Sequence, residues 1–240
     1  MVYIKISEIA TNPKQYNTQE VQWENETGLS SPTRTFFWHY IEPYSSDWKD
    51  KMVLDIGAGT GWLIKLLRER GAAAIGIEPS EKNINLGKQT NPDIELEFTT
   101  LENMAIEQTF DRAVAIMVMT HIKDIEGAFN KISAILNSSG ELLIIIPDYD
   151  YYKQPRYNYK IQTEELNDRE YAALIKRPQG EIADIVRTIE VYKEAGEKTG
   201  LKLTEDIPMT PTEDLIKRVP HYKEKKDVVM THLLRFQKIK

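Results

Sequence analysis

Asp55, Gly57, Gly59 and Glu78 have the types and the spacing of residues that bind a nucleoside. The apolar residues around Asp55 predict a buried strand, and the glycines after it predict a tight turn that opens a helix. Glycine lets such a turn adopt positive φ and lets its backbone approach a ligand closely. A second apolar run, over residues 73–77, ends directly before Glu78, whose carboxylate could accept two ribose hydroxyls. The pattern therefore predicts a nucleoside cofactor at the ends of two strands.

The glycine spacing separates two kinds of nucleoside ligand. A dinucleotide-binding loop has the pattern G-x-G-x-x-G, and a triphosphate loop has the pattern G-x-x-x-x-G-K-[ST]. This chain has G-x-G-x-G over residues 57–61, with Asp55 before it. A carboxylate beside a pyrophosphate would repel it because both are negative. The loop therefore favours a ligand without phosphates, and we predict S-adenosylmethionine, which combines a nucleoside with a sulfonium, an ammonium and a carboxylate.

The length, composition and charge of the chain exclude several kinds of protein and site. A chain of 240 residues fits one large domain, or a domain with a cap. The absence of cysteine excludes disulfides, thiolate nucleophiles and cysteine-ligated zinc. A net charge of −6 argues against a nucleic-acid partner, because such proteins usually present a basic face. The N-terminus lacks a signal-peptide pattern and the apolar runs are too short for a membrane span, so we expect a cytoplasmic protein with no membrane partner.

Strand and helix patterns alternate from residue 51 onwards, which predicts an α/β protein with a parallel sheet covered on both faces. A helix is predicted over residues 124–136, with a stop at residues 137–140. A strand is predicted over residues 94–99. Two late apolar runs, over residues 201–204 and 228–236, predict an antiparallel strand pair at one edge of the sheet.

The same patterns divide the chain. Residues 1–50 are predicted to form an N-terminal helical lid, and residues 51–240 the main domain. The alternation breaks after Pro147 into a segment rich in tyrosine and aspartate. We therefore predict a loop or cap-like insertion at about residues 148–185.

Several segments together resemble the class I S-adenosylmethionine-dependent methyltransferases. The resemblance is carried by residues 53–61, Glu78, residues 110–111, residues 120–122 and residues 136–140. It covers about residues 30–147 and looks closest to the small-molecule subgroup that includes ubiquinone-biosynthesis methyltransferases. It implies a Rossmann-like, doubly wound, mostly parallel sheet of seven strands with helices on both faces. It also implies S-adenosylmethionine as methyl donor and S-adenosylhomocysteine as product.

The resemblance also implies a set of cofactor-binding residues. They are Arg34, Asp55, Gly57, Gly59, Glu78, Pro79, Thr100, Leu101, Glu102 and Ile116. Arg34 would pair with the cofactor carboxylate, for which a guanidinium has a suitable geometry, although it could instead be a surface arginine on a helix. Thr100 stands where many members of the family have aspartate, so a side-chain bond to the adenine amino group is in question, though the backbone could supply one.

His121 is the candidate catalytic residue. It follows the predicted fourth strand, at the carboxyl end of the sheet, where ligands bind in doubly wound folds. It could act as a general base that takes a proton from the methyl acceptor, or it could be a structural histidine bonded to backbone. The other histidines form no i, i+4 pair, and no metal site is predicted.

Aromatic residues provide the candidates for the acceptor pocket. The candidate substrate-binding residues are His121, Tyr16, Trp23, Tyr149 and Tyr152. Tyrosine rings beside Asp148 and Asp150 could hold a cationic or aromatic acceptor. The same tyrosines could instead belong to a partly solvated loop packed on the sheet edge. Tyr16 and Trp23 are expected in the lid, whereas Trp38 is expected in the core.

The predicted function is methyl transfer to a nitrogen or oxygen atom of a small-molecule metabolite by a monomer or homodimer. An RNA or DNA methyltransferase is a second option. It is disfavoured because residues 117–120 lack the Asn/Asp-Pro-Pro-aromatic motif of enzymes that methylate base amino groups. A non-catalytic protein that binds S-adenosylmethionine is a third option, because a fold by itself does not fix an activity.

Overall fold

The computed structural model describes residues 5–12, 15, 28–156, 159–177 and 180–239. Within these ranges the helices are α1 (Ile6–Ala10), α2 (Pro32–Ser45), α3 (Trp62–Glu69), α4 (Glu81–Thr90), α5 (Ile125–Ile135), α6 (Ile189–Lys198) and α7 (Glu213–Arg218). The strands are β1 (Met52–Ile56), β2 (Ala73–Ile77), β3 (Leu96–Glu97), β4 (Phe110–Ile116), β5 (Leu136–Pro147), β6 (Lys160–Asn167), β7 (Glu170–Arg177), β8 (Gly180–Arg187), β9 (Leu201–Met209) and β10 (Thr231–Lys238).

The main sheet has seven strands in the order β3-β2-β1-β4-β5-β10-β9. Strands β1 to β5 pair in parallel, and β10 pairs antiparallel with both β5 and β9. The predicted fold class, including the antiparallel C-terminal pair, is confirmed. Because β1, β2 and β4 run in the same direction, their carboxyl ends meet at one edge of the sheet, and the residues that follow them lie together there.

Helix α3 shows why the alternating pattern produces this layer structure. Leu63, Ile64 and Leu67 are buried in the core cluster that also contains Val53 of β1. Lys65, between them, is exposed. Apolar side chains at this spacing form one stripe on a helix, which must be covered by the sheet.

Two predicted boundaries were wrong. Helix α5 ends at Ile135, and β5 begins at Leu136 and runs through residues 137–140, where the sequence predicted a stop. Leu136 pairs with Phe110 of β4 and Glu141 pairs with Arg112, so strand pairing begins at Leu136 and is interrupted by an irregularity over residues 137–140, where the turn signal lies. Strand β3 is only Leu96–Glu97 rather than residues 94–99, because it is an edge strand that pairs with β2 alone.

The predicted insertion contains a second sheet. Strands β6, β7 and β8 form a three-stranded antiparallel sheet that ends at Arg187, slightly beyond the predicted boundary. Arg187 ties this sheet to the segment after β4. Its side chain is buried, its Nε lies 2.6 Å from Glu170 Oε1, and its Nη1 and Nη2 donate to the carbonyls of Met119 (2.9 Å) and Ile122 (2.8 Å).

The N-terminal region divides between the two sheets. Ala10 of α1 packs with Ala183 and Ile185 of β8. Helix α2 instead buries Phe36 and Trp38 in the core of the main sheet, as expected for Trp38. The predicted lid therefore excludes α2, and it stays a prediction for the segment before that helix. Tyr16 and Trp23 lie outside the described residues. No helix of the described chain is long and apolar enough to cross a membrane.

His232 of β10 should make stability depend on pH. Its Nδ1 lies 2.7 Å from Asp206 Oδ1 on β9, and its Nε2 lies 3.1 Å from Asp148 Oδ2 after β5. Burial by itself would lower the pKa of His232, but the bonds to Asp148 and Asp206 outweigh burial and raise it above 6.5. The stabilisation is therefore complete below pH 6.5 and is lost as pH rises through the higher folded pKa.

We expect His232→Gln to remove this pH dependence. Urea unfolding of both proteins over a pH series would measure it. Replacement of the exposed His39 by glutamine is the control and should leave the wild-type profile unchanged. Equal loss of stability with pH in wild type and His232→Gln would contradict the assignment.

Candidate active site

A cavity of about 670 Å³ opens at the carboxyl ends of β1, β2 and β4. The structure brings all ten predicted cofactor residues into its lining: Arg34, Asp55, Gly57, Gly59, Glu78, Pro79, Thr100, Leu101, Glu102 and Ile116. We call this part the cofactor half. The remaining lining, which includes His121 and Tyr152, comes from the segment after β4, the insertion and the C-terminal region. We call it the acceptor half.

The glycine turn has the backbone that its sequence predicted. Gly57 and Gly59 have φ values of 66° and 58°, in the left-handed region that favours glycine. A Cβ on Gly57 would lie 2.5 Å from Val118 Cγ2, so that position has no room for a side chain. A Cβ on Gly59 would meet no atom within 4 Å. The turn therefore leaves open space beside Gly59 at the cavity wall.

Gly59→Ala should weaken ligand binding more than it destabilises the fold. The left-handed φ should cost about 1 kcal/mol of stability in any L-residue. The added methyl group would occupy space that the cofactor needs, and we expect about tenfold weaker binding of S-adenosylhomocysteine by calorimetry. Gly200→Ala is the matched control, because Gly200 has a φ of 78° and does not line the cavity. Equal affinities of the two variants would contradict a close approach at Gly59.

Glu78 joins the turn to the end of β2. Its carboxylate accepts hydrogen bonds from Gly59 N (2.8 Å), Ser80 N (2.9 Å) and Asn83 Nδ2 (3.3 Å). Burial raises the pKa of Glu78, and these hydrogen bonds oppose the rise. A carboxylate offers about four lone-pair sites, so the described bonds leave it able to accept a further hydroxyl. The side chain therefore shapes the turn and presents an acceptor to the cavity.

Asp55 places a second carboxylate beside the first. It is buried at the end of β1, and its pKa is raised well above the usual value, first by burial and then by the charge of Glu78. A phosphate here would add to the repulsion, whereas a cation would relieve it. The electrostatics of the cofactor half therefore suit a cationic nucleoside.

Arg34 lies in the first turn of α2, which begins at the Ser31 cap and Pro32. Its side chain is buried, lines the cavity and donates from Nη2 to Thr60 Oγ1 at 3.2 Å. The structure therefore does not support a surface arginine. A guanidinium at the cavity wall has a geometry that suits a ligand carboxylate.

Arg34→Gln should weaken S-adenosylhomocysteine binding about tenfold or more, because a hydrogen bond to a charged group contributes about 1.5–3 kcal/mol. Calorimetry measures the effect. Arg70→Gln is the matched control, since Arg70 pairs with Glu42 on the surface at 2.7 Å. An unchanged affinity of Arg34→Gln for S-adenosylhomocysteine would show that Arg34 does not bind the cofactor.

His121 lies in the acceptor half, on a short 3-10 helix, Met119–His121. Its Nδ1 lies 3.3 Å from the carbonyl oxygen of Ala10 and 3.3 Å from Gln15 Nε2. Its Nε2 lies 3.5 Å from Asp184 Oδ1. Burial lowers the pKa of His121 and outweighs the opposing effect of Asp184, so the ring is neutral at pH 7. Both roles considered for His121, a backbone-bonded ring and a proton acceptor, are compatible with this geometry.

Tyr149, a candidate substrate-binding residue, does not line the cavity, and neither does Asp148. The Tyr149 ring packs edge-to-face on Tyr171 with centroids 5.0 Å apart, and its carbonyl accepts from Tyr171 Oη at 2.7 Å. Asp148 is engaged by His232. Asp150 is exposed. Tyr171 lies on β7, and no local pattern predicted that this insertion strand would pack there.

Sequence reasoning missed several lining residues of the acceptor half. They are Arg156, Arg177, Asp184 and Tyr222, whereas Tyr159 belongs to the dense run of tyrosines that the sequence offered as a possible pocket wall. Asp184 carried a usable signal, because a single acidic residue inside the apolar run of residues 182–186 is rarely buried without a role. The other three lie in polar surroundings in the sequence and carried none.

A model of the methyltransferase domain family matches residues 32–205, well over half of the chain. The chain belongs to this family. The resemblance to class I methyltransferases is thereby confirmed. The matched range begins at α2 and includes the insertion. It therefore contains most of the residues that line the two halves of the cavity.

Individual relatives cover smaller parts. A ubiquinone biosynthesis O-methyltransferase of Bradyrhizobium diazoefficiens is 32% identical over 96 residues, 38% of this chain and 38% of that protein. A tRNA U34 carboxymethyltransferase of Ruthia magnifica is 31% identical over 114 residues, 45% of this chain and 36% of that protein. The chain thus spans less than two thirds of the length of the curated relatives it matches. A solved S-adenosylmethionine-dependent methyltransferase from Mesorhizobium loti is 19% identical with a TM-score of 0.69, covering 87% of this chain and 100% of that one, and it has the same fold.

Proposed function

We propose that this protein transfers a methyl group from S-adenosylmethionine to an oxygen or nitrogen atom of a small molecule. The observation that carries the proposal is one continuous cavity that joins the Glu78 and glycine-turn wall to His121 and the insertion. A donor in the cofactor half and an acceptor in the acceptor half would share that cavity. Holding two reactants in this way can supply about 7 kcal/mol or more of the barrier.

The cofactor half fits S-adenosylmethionine by chemistry as well as by shape. Asp55 and Glu78 form a buried acidic pair that a cation would relieve, and Arg34 offers a guanidinium to a carboxylate. When bound, this cofactor supplies a methyl group activated on a sulfonium. The protein then has to position the acceptor, exclude water and remove one proton.

His121 is the proposed proton acceptor. Its neutral ring can take a proton, and Asp184 Oδ1, 3.5 Å from Nε2, would stabilise the imidazolium that forms. Asp184 itself would position the ring. A hydroxyl acceptor needs such a base more than a neutral amine does, so the role of His121 also separates these acceptors.

A small acceptor suits the site better than RNA. The cavity volume of about 670 Å³ lies within the range of about 300–1,000 Å³ usual for small-molecule sites. The net charge of −6 disfavours a polyanionic partner. One relative is nevertheless named for tRNA, so RNA is included as an arm of the test.

The test has a binding stage and a transfer stage. Calorimetry with S-adenosylmethionine and S-adenosylhomocysteine should show binding of both. Transfer of a labelled methyl group to a metabolite extract should give a small labelled product. Label on RNA would instead favour the nucleic-acid option, and binding without transfer to either pool would favour the non-catalytic option. Failure of wild type to bind either compound would overturn the proposal.

A further inference from the structure

Two arginines of the insertion meet in the acceptor half. Arg156 comes shortly before β6 and Arg177 ends β7, and both line the cavity beside Tyr159. The Arg156 guanidinium carbon lies 4.4 Å from the centroid of the Tyr152 ring and 5.6 Å from that of Tyr159. The Arg177 guanidinium carbon lies 5.7 Å from the Tyr159 centroid. The two cations therefore flank the same tyrosine.

Both arginines carry buried N–H groups without an acceptor. Within the described chain, Nε and Nη2 of Arg156 and Nε of Arg177 are buried and make no hydrogen bond. A buried donor left unsatisfied costs about 1–3 kcal/mol. Contact with an aromatic ring uses the face of a guanidinium, whereas its N–H groups lie at the edge and seek an acceptor in the plane. The neighbouring tyrosines therefore do not satisfy these three N–H groups.

The charge of the acceptor half is also positive. Arg156, Arg177 and Lys123 line it, together with the carboxylate of Asp184, which faces His121. The carboxylates of Asp148 and Asp150, which suggested a cationic acceptor, lie outside the lining. An anion would neutralise this surface, and a carboxylate or phosphate suits the donor geometry of a guanidinium.

We propose that the methyl acceptor is an anion whose carboxylate or phosphate group binds Arg156 and Arg177. The inference rests on the proposed function only in treating the bound molecule as the acceptor. Tyr152, Tyr159 and Tyr222 wall the same space, so a ring attached to the anionic group would contact tyrosine while the oxygens contact arginine. The arginines of the insertion would then select the acceptor by its charge.

The test uses four small probes that share a phenyl ring: benzoate, phenyl phosphate, benzyl alcohol and benzylamine. Calorimetry is run on the full chain with and without saturating S-adenosylhomocysteine. Benzoate or phenyl phosphate should bind at least tenfold more tightly than benzyl alcohol and benzylamine. Whichever anion binds more tightly identifies the preferred group as a carboxylate or a phosphate. The double variant Arg156→Gln/Arg177→Gln should lose that preference.

Two controls separate this inference from the proposed function. Arg169→Gln, in the turn between β6 and β7 where Arg169 pairs with Glu194 at 2.7 Å, should keep the anion preference. The double variant should keep the wild-type affinity for S-adenosylhomocysteine, which also shows that it folds. Benzylamine binding as tightly as the anions, no anion preference in wild type, or a preference that survives in the double variant would each overturn the inference. Any of these could occur while S-adenosylhomocysteine still binds, and then the proposed function stands.

Discussion

Replacing Glu78 by alanine should weaken the binding of S-adenosylhomocysteine by about 100-fold or more. The structure leaves the carboxylate able to accept one ribose hydroxyl rather than the two first expected, and a hydrogen bond to a charged group contributes about 1.5–3 kcal/mol. The variant also removes the acceptor of Gly59 N, which Glu78 Oε2 accepts at 2.8 Å, so the turn itself should loosen. Both effects act on the cofactor, and calorimetry of wild type and variant measures their sum.

Glu81→Ala is the matched control. Glu81 is an exposed carboxylate in the first turn of α4, three residues further along the chain, and its removal changes the net charge equally. We expect S-adenosylhomocysteine to bind this variant as it binds wild type. Thermal unfolding of both variants checks that each is folded. Similar affinities of Glu78→Ala and wild type, in a folded protein, would place the cofactor elsewhere.

His121→Asn should lower the rate of methyl transfer about 100-fold or more, because a general base contributes about 10²- to 10⁴-fold. Its affinity for S-adenosylhomocysteine should change little, since the ring lies in the acceptor half. Burial lowers the pKa of His121, so the wild-type rate should fall only when the pH drops below 6.5 and the ring gains a proton. The variant should lack this acid limb.

A second variant, Asp184→Asn, also tests whether His121 is the proton acceptor. Asp184 raises the pKa of His121, whereas burial and the charge of Arg187 lower it. Removing the Asp184 charge should therefore move the acid limb of the rate profile to still lower pH. Full transfer activity in His121→Asn would show that the ring, bonded to the Ala10 carbonyl, is structural. In that case the acceptor would be one that needs no base, such as a neutral amine.

Not all of the fold could be predicted from local patterns. Helix α5 was expected to reach residue 136, but pairing of Leu136 with Phe110 makes that residue the start of β5. The insertion was expected as a loop or cap. It folds into a sheet because its three strands pair with each other. The sheet also contacts the N-terminal segment, where Gln15 Oε1 accepts a hydrogen bond from Ala183 N at 3.2 Å across 168 positions. Contacts at such separation leave no periodic signal near either residue.

The sequence by itself determined the family, the main sheet and the cofactor half of the cavity. Half of the ten cofactor-half residues lie in or directly after one contiguous strand, turn, helix and strand, where glycine conformation, apolar period and acidic residues are sufficient signals, and the resemblance to the family supplied the others. Only the tertiary structure decided the acceptor half. His121, Arg156, Arg177, Asp184 and Tyr222 come from separate elements, and what brings them together is the docking of the insertion through Arg187 onto the segment after β4. Local propensity cannot encode a meeting of residues that depends on packing between distant elements.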